Sequence, residues 1–217
     1  VVLGGGCNDT AAVVARIRNI SPDEVSAVLS VAPYYNKPSQ EGLYAHFAEI
    51  AKASPVPVIL YNIPSRTGVN MLPGTILRLA RDFGNIAGVK EASGSMEQAM
   101  RIIKERPEGF AVYSGDDALG VPMTLMGGQG VISVLANSHP AACSAMIKHA
   151  LGGRIKEALE IHYRFLDYIS LLFCEGNPTG VKAAMSLMGK CCPHVRLPLV
   201  KASEGLMSSL SQALDKL

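Results

Sequence analysis

No run of about eighteen consecutive apolar residues occurs in this sequence, so it offers no candidate membrane span. The opening VVLGGGCNDT is apolar, but it lacks the basic residues of a secretory leader and turns glycine-rich at once. An excess of charge of one sign is also missing. The chain carries 20 basic and 18 acidic residues for a formal net charge of +2, which gives no electrostatic case for nucleic acid or an anionic membrane. Aromatics interleaved with lysines, the mark of a nucleic-acid surface, are absent too.

Cysteine pattern is equally sparse. Cys7, Cys143, Cys174, Cys191 and Cys192 are odd in number, show no CxxC spacing and have no companion histidine pair. Free thiols in a reducing cytoplasm are the expectation, rather than a disulfide framework or a zinc site. The five histidines are scattered without HExxH, so no metal is expected. LGGGCNDT precedes a helix but lacks both GxGxxG and GxxxxGK[ST], which argues against a nucleotide site. MGGQGVIS (126–133) precedes a strand, not a helix, and reads as a turn instead of a phosphate cradle.

What is present is material for a packed core: 48% hydrophobic and 18% charged residues in 217. Short β-branched runs alternate with helix-period segments, the pattern of βαβ units around a parallel sheet. Strands are expected at 1–5, 25–33, 56–64, 86–92, 110–115 and 130–136, as continuous apolar runs covered on both faces. Between them, PSQEGLYAHFAEIAKAS aligns Leu43, Phe47, Ile50 and Ala51 on one stripe, with Ser39 as its cap. LPGTILRLARDF starts with a proline and turns Ile76, Leu79, Ala80 and Phe83 inward. Further helices are expected at 95–106, 117–126 and 139–151, and beyond residue 153 at 154–173, 178–189 and 203–217. This divides the chain into an α/β part, 1–153, and a helical extension, 154–217. Six strand–helix units fit an open doubly wound sheet or six units of a (β/α)₈ barrel.

Either way, ligands gather at the carboxyl ends of the strands. Those ends carry Tyr61, Asn62, Arg66 and Thr67 in LYNIPSRTG, Lys90 in IAGVKEA, Gly115 in YSGDD, and Tyr34 and Tyr35 in APYYNKPSQEG. A strand-end lysine taken alone reads as a solvated charge. Inside an apolar site it loses its proton more readily and becomes an amine nucleophile able to form a Schiff base. Gly88, two residues earlier on the same face, would leave room beneath its side chain. Tyr61, Arg66 and the tyrosine pair each have structural readings when isolated, although the forked guanidinium of Arg66 suits a carboxylate. In GDD, Asp117 is expected to cap the helix that follows it.

Together, APYYNKPSQEGLYAHF, ILYNIPSRTG, GVKEASG, YSGDDA and GGQGVISV resemble the dihydrodipicolinate synthase branch of the pyruvate-dependent Schiff-base aldolase and N-acetylneuraminate lyase family. They occur in the family's order and spacing, and EGNPTGVKAAM and RLPLV extend the match to nearly the whole chain. The resemblance implies a (β/α)₈ TIM barrel with a C-terminal helical bundle, assembled as a homo-oligomer, a homotetramer built from dimers. It implies condensation of pyruvate with aspartate semialdehyde through a lysine Schiff base, for lysine and diaminopimelate biosynthesis, with no metal or organic cofactor.

By the same resemblance, Lys90 is the Schiff-base lysine, Tyr61 the proton relay and Arg66 the carboxylate-binding arginine. Tyr35 crosses to a neighbouring subunit to complete its relay, and Gly115 and Ile132 line the ketoacid. Asn8 and Tyr34 match two positions of a lysine feedback site, while Ala12 replaces an acid of the regulated members, so feedback is expected to be weak or absent. The family's GTTGE segment, whose threonine bridges the two tyrosines, has no counterpart here. The chain aligns from the family's third strand onward, so a barrel lacking its first two βα units is the expectation. Competing readings are N-acetylneuraminate lyase, whose members typically lack the arginine of RTG, or another 2-keto acid aldolase, and a non-catalytic homologue with a structural or interaction role.

Overall fold

A computed structural model describes residues 1–217 as six strands and eleven helices. The α/β part runs β1 (Val2–Gly4), α1 (Thr10–Ile17), β2 (Ala27–Val31), α2 (Gln40–Ala53), β3 (Val58–Asn62), α3 (Pro64–Thr67), α4 (Pro73–Asp82), β4 (Ile86–Glu91), α5 (Met96–Glu105), β5 (Ala111–Ser114), α6 (Gly120–Leu125) and β6 (Gly130–Val131). Then follow α7 (Leu135–Ser138), α8 (Pro140–Leu151), α9 (Ile155–Phe173), α10 (Thr179–Leu187) and α11 (Glu204–Leu214). No helix is long and apolar enough to cross a membrane.

All six expected strands form, each shorter than its apolar run. They pair in parallel in the order β1-β2-β3-β4-β5-β6. That order decides between the two architectures. A doubly wound sheet reverses direction at a switch point, whereas here every crossover advances the same way, and right-handed crossovers then place every helix on one face. The register agrees: Val58, Leu60, Val89 and Val112 on one face are fully buried and share a core of 23 residues with Val13, Phe47, Ile76 and Ile102 of the helices. The other face is the concave side of a curled sheet, as in part of a (β/α) barrel.

Local chemistry explains the elements. The Ser39 hydroxyl accepts from the Gly42 N–H at 3.2 Å and starts α2, whose Leu43, Phe47, Ile50 and Ala51 are buried as their spacing required. Pro73 opens α4, which buries Ile76, Leu79 and Ala80, while Phe83 beyond its end is only half-buried. Two expectations need correction. The sixth strand stops at Val131 instead of 136, because Leu135 begins a short helix. Asp117 does not cap α6. Its Oδ2 accepts from the Val134 and Leu135 N–H groups, both at 2.9 Å, and so caps α7 some seventeen residues on. A carboxylate at a helix N-terminus satisfies orphan N–H groups and meets the positive end of the dipole, which is what turns the chain out of the sheet there.

From α6 onward a second core of 15 residues forms, with Leu135, Met146, Phe165, Tyr168, Ile169, Leu172 and Leu206 among them. All five cysteines are free.

Candidate active site

Side chains alternate across a strand, so the concave face receives every second residue. Register places Val31, Tyr61, Lys90, Tyr113 and Gly130 side by side near the carboxyl ends of five strands. Lys90 and Tyr61 are direct cross-strand partners, and the Lys90 Nζ lies 4.3 Å from the centroid of the Tyr61 ring. Both are half-buried.

Burial lowers the pKa of Lys90 from its ordinary 10.5; the Arg66 guanidinium pushes the same way, while the Asp117 carboxylate opposes both. Burial also raises the Tyr61 phenol above 10.0, with Arg66 partly offsetting it. The pair therefore sets an amine that gives up its proton more readily than a free lysine beside a phenol that gives up its own less readily. That combination serves attack on a carbonyl followed by protonation of the departing hydroxyl.

Gly115 is where space is made for the lysine. A Cβ there would lie 2.9 Å from Lys90 Cε and 2.7 Å from Ala92 Cβ, closer than such contacts normally come. Gly88 has a different reason than the one expected: its absent Cβ would meet the Ala111 carbonyl oxygen at 2.6 Å. It admits the neighbouring strand rather than clearing room beneath Lys90.

A cleft of about 210 Å³ opens beside this row, lined by Ile63, Arg66, Ala92, Gly115, Asp116 and Phe173. Arg66 sits in the single turn of α3, where Gly68 ends the helix at φ 76°. Its Nη2 donates to the Asn177 carbonyl at 3.4 Å, tying the β3 loop to the segment after α9. Ile132 follows β6 and donates its N–H to the Ser114 carbonyl at 2.9 Å, which keeps it on the same rim.

Other sequence candidates lie apart. Tyr35 is 86% exposed, with φ 74°, and its N–H donates to Thr67 at 3.3 Å; its ring does not join the Lys90 pair. Asn8 and Tyr34 do meet, Asn8 Nδ2 donating to the Tyr34 carbonyl at 3.2 Å on the exposed β1–α1 rim. Sequence reasoning missed three neighbours. Tyr113 occupies the register position beside Lys90, for which the alternation in FAVYSG was the available signal. Asp117 is 1% exposed and faces the lysine electrostatically. Phe173 reaches the cleft from α9, a placement no local pattern encodes.

A model of the dihydrodipicolinate synthetase family matches residues 1–217. The chain belongs to that family. The 4-hydroxy-tetrahydrodipicolinate synthase of Cytophaga hutchinsonii is 50% identical over 217 residues, covering 100% of this chain and 73% of that protein. The synthase of Flavobacterium psychrophilum is 49% identical over 210 residues, 97% of this chain and 72% of that protein. A crystal structure of dihydrodipicolinate synthase from Acinetobacter baumannii, inhibited by chloride and complexed with pyruvate, superposes with a TM-score of 0.95 at 38% identity, covering 99% of this chain and 74% of that one. Membership of the dihydrodipicolinate synthetase family accounts for the parallel winding of the sheet.

Proposed function

We propose that this chain carries the 4-hydroxy-tetrahydrodipicolinate synthase reaction, joining pyruvate to aspartate semialdehyde on Lys90. The observation that carries the proposal is the Lys90–Tyr61 pair, cross-strand partners with Nζ 4.3 Å from the ring centroid. Neutral Lys90 attacks the pyruvate ketone. The carbinolamine loses water as Tyr61 donates a proton to the departing hydroxyl, leaving an imine. Removal of a methyl proton gives the enamine, whose carbon attacks the aldehyde. Cyclisation through the semialdehyde's amine then expels Lys90 and regenerates it. Proton transfer by a positioned tyrosine is worth ~10²–10⁴-fold.

Arg66 would bind the semialdehyde carboxylate from the rim of the cleft, with a fork suited to two oxygens. Gly115 and Ile132 would line the bound ketoacid. Tyr35, exposed on its loop, would reach a neighbouring subunit of a homo-oligomer and serve that subunit's relay. Asn8 and Tyr34 would contribute to a lysine-binding rim in which Ala12 offers no carboxylate. The six βα units would correspond to the third to eighth units of a (β/α)₈ barrel, with 1–153 as the barrel part and 154–217 as its helical bundle.

The test is reductive trapping. Incubation with pyruvate and borohydride, followed by peptide mass analysis, should give one adduct at Lys90. An adduct at another lysine, or none in folded protein, overturns the proposal.

A further inference from the structure

Directly behind Lys90 and Tyr61, on the helix-facing side of the sheet, lies a closed polar network in an otherwise apolar layer. On that face β3 reads Val58, Leu60, Asn62 and β4 reads Val89, Glu91, so the apolar rows each end in a polar residue at the rim. Glu91 is 1% exposed and takes part in none of the ion pairs of the fold. Three neutral donors hold it: the Ser93 N–H to Oε1 at 2.7 Å, and Asn62 Nδ2 and Gln98 Nε2 to Oε2 at 3.0 and 3.1 Å.

The orientation of each amide is fixed by a further bond. Asn62 Oδ1 accepts from the Met71 N–H at 2.9 Å, so its NH₂ must face Glu91. Gln98 Oε1 accepts from Asn70 Nδ2 at 2.9 Å, which sets the Gln98 NH₂ likewise. Asn70 Oδ1 in turn accepts from Asn62 Nδ2 at 2.8 Å. Every donor around position 91 is therefore committed, and both side-chain oxygens there must accept. Only a carboxylate does that; glutamine would set an N–H against an N–H.

Burying a carboxylate without a cation is costly even when it is fully hydrogen-bonded, and an apolar residue would serve packing alone. The register shows what the network adds. Asn62 pairs with Glu91 as Tyr61 pairs with Lys90, one residue earlier on the opposite face. We propose that Glu91 is a positioning residue: with Asn62 and Gln98 it locks the ends of β3 and β4 in register, and so holds the Lys90 amine against Tyr61. The proposal rests on Lys90 being the reacting amine, although one of its tests does not.

Two measurements are made on Glu91→Gln in the full chain, per folded molecule. The first is the rate of borohydride-trapped imine formation with pyruvate. Misplacing the amine by about 1 Å costs on the order of 10²-fold, and that loss is expected. The second is the titration of Lys90, reductively ¹³C-methylated and followed by NMR without substrate. Its surroundings are Tyr61, Arg66 and Asp117, and release from the pair into water should move the midpoint upward. If the wild-type chain forms no adduct, the proposed reaction fails while the titration still tests the clamp. An unchanged rate and midpoint in folded Glu91→Gln overturn the positioning role. Should that variant not fold, Gln98→Met, which removes one donor, is expected to show smaller changes of the same sign; no change in either readout would reduce the network to a structural one.

Discussion

The 23-residue core behind the sheet and the 15-residue core among the later helices differ in what they leave at their edges. The first ends at the strand tips in charged, phenolic and amide groups: Lys90 and Tyr61 on the concave face, Asn62, Glu91 and Gln98 behind them. The second keeps its polar groups to itself. Tyr168 donates to Ser138 Oγ at 3.1 Å, and His139 Nδ1 lies 3.0 Å from the same hydroxyl, inside a knot of aromatic rings. The helical part sends Phe173 to the cleft and offers the Asn177 carbonyl to Arg66. On the proposed function, the sheet supplies the reacting groups and the helical part supplies a wall. Substitutions in the first region should then cost turnover, and those in the second should cost binding.

The sharpest break would come at Lys90. Replacement by methionine keeps an unbranched side chain one atom shorter but removes the nucleophile; condensation should fall on the order of 10⁴-fold or more, and borohydride trapping should yield no adduct while circular dichroism stays native. Tyr61→Phe comes next. It keeps the ring beside the amine and loses only the hydroxyl, so kcat should drop ~10²–10⁴-fold with KM for pyruvate little changed. A KM effect without a kcat effect would remove Tyr61 from the relay.

A third expectation concerns stability. His46 on α2 is 4% exposed; its Nδ1 lies 2.8 Å from Thr10 Oγ1, and its Nε2 has no partner. Burial lowers its pKa from 6.5 to about 4. As pH falls below 6.5 the unfolded chain takes up a proton that the folded chain refuses. Stability present above that pH is therefore lost down to about pH 4, by about 3 kcal/mol at ~1.4 kcal/mol per unit. Urea titrations of wild type and His46→Gln over that range should converge at low pH. An equal acid dependence in both would assign the loss to other groups, such as His162 in the second core, whose pKa burial also lowers.

The same division governs how far the sequence could be read. Continuous apolar runs located all six strands, because residues such as Val58, Leu60 and Val89 must be apolar to lie in the buried core. The Ser39 and Pro73 helix starts were legible as well. Lys90, Tyr61 and Gly115 could be placed at strand ends, where the structure has them; their roles are the ones proposed above. What failed were relations between distant segments. Asp117 was legible as a cap, but only the fold brings it to Val134 and Leu135. Gly88 looked like room for the lysine, whereas the strand beside it decides its size. The Asn62–Glu91–Gln98 network joins three elements and leaves no pattern in any one of them.

The smallest expected effect tests the wall itself. Phe173, the last residue of α9, is 37% exposed and lines the cleft together with Arg66, Gly115 and Asp116. Being partly solvated, it contributes little to the core, and Phe173→Ala should cost stability well short of the ~3–5 kcal/mol of a buried phenylalanine. Its loss widens the entrance without touching Lys90, so pyruvate trapping should proceed at the wild-type rate. The later-binding semialdehyde, which would lie nearer Arg66, loses an apolar wall, and its KM should rise by up to about tenfold, equivalent to ~1.4 kcal/mol. Slower trapping of pyruvate in this variant would mean that the helical region helps hold the lysine, and the separation between a reacting sheet and a binding wall would not stand.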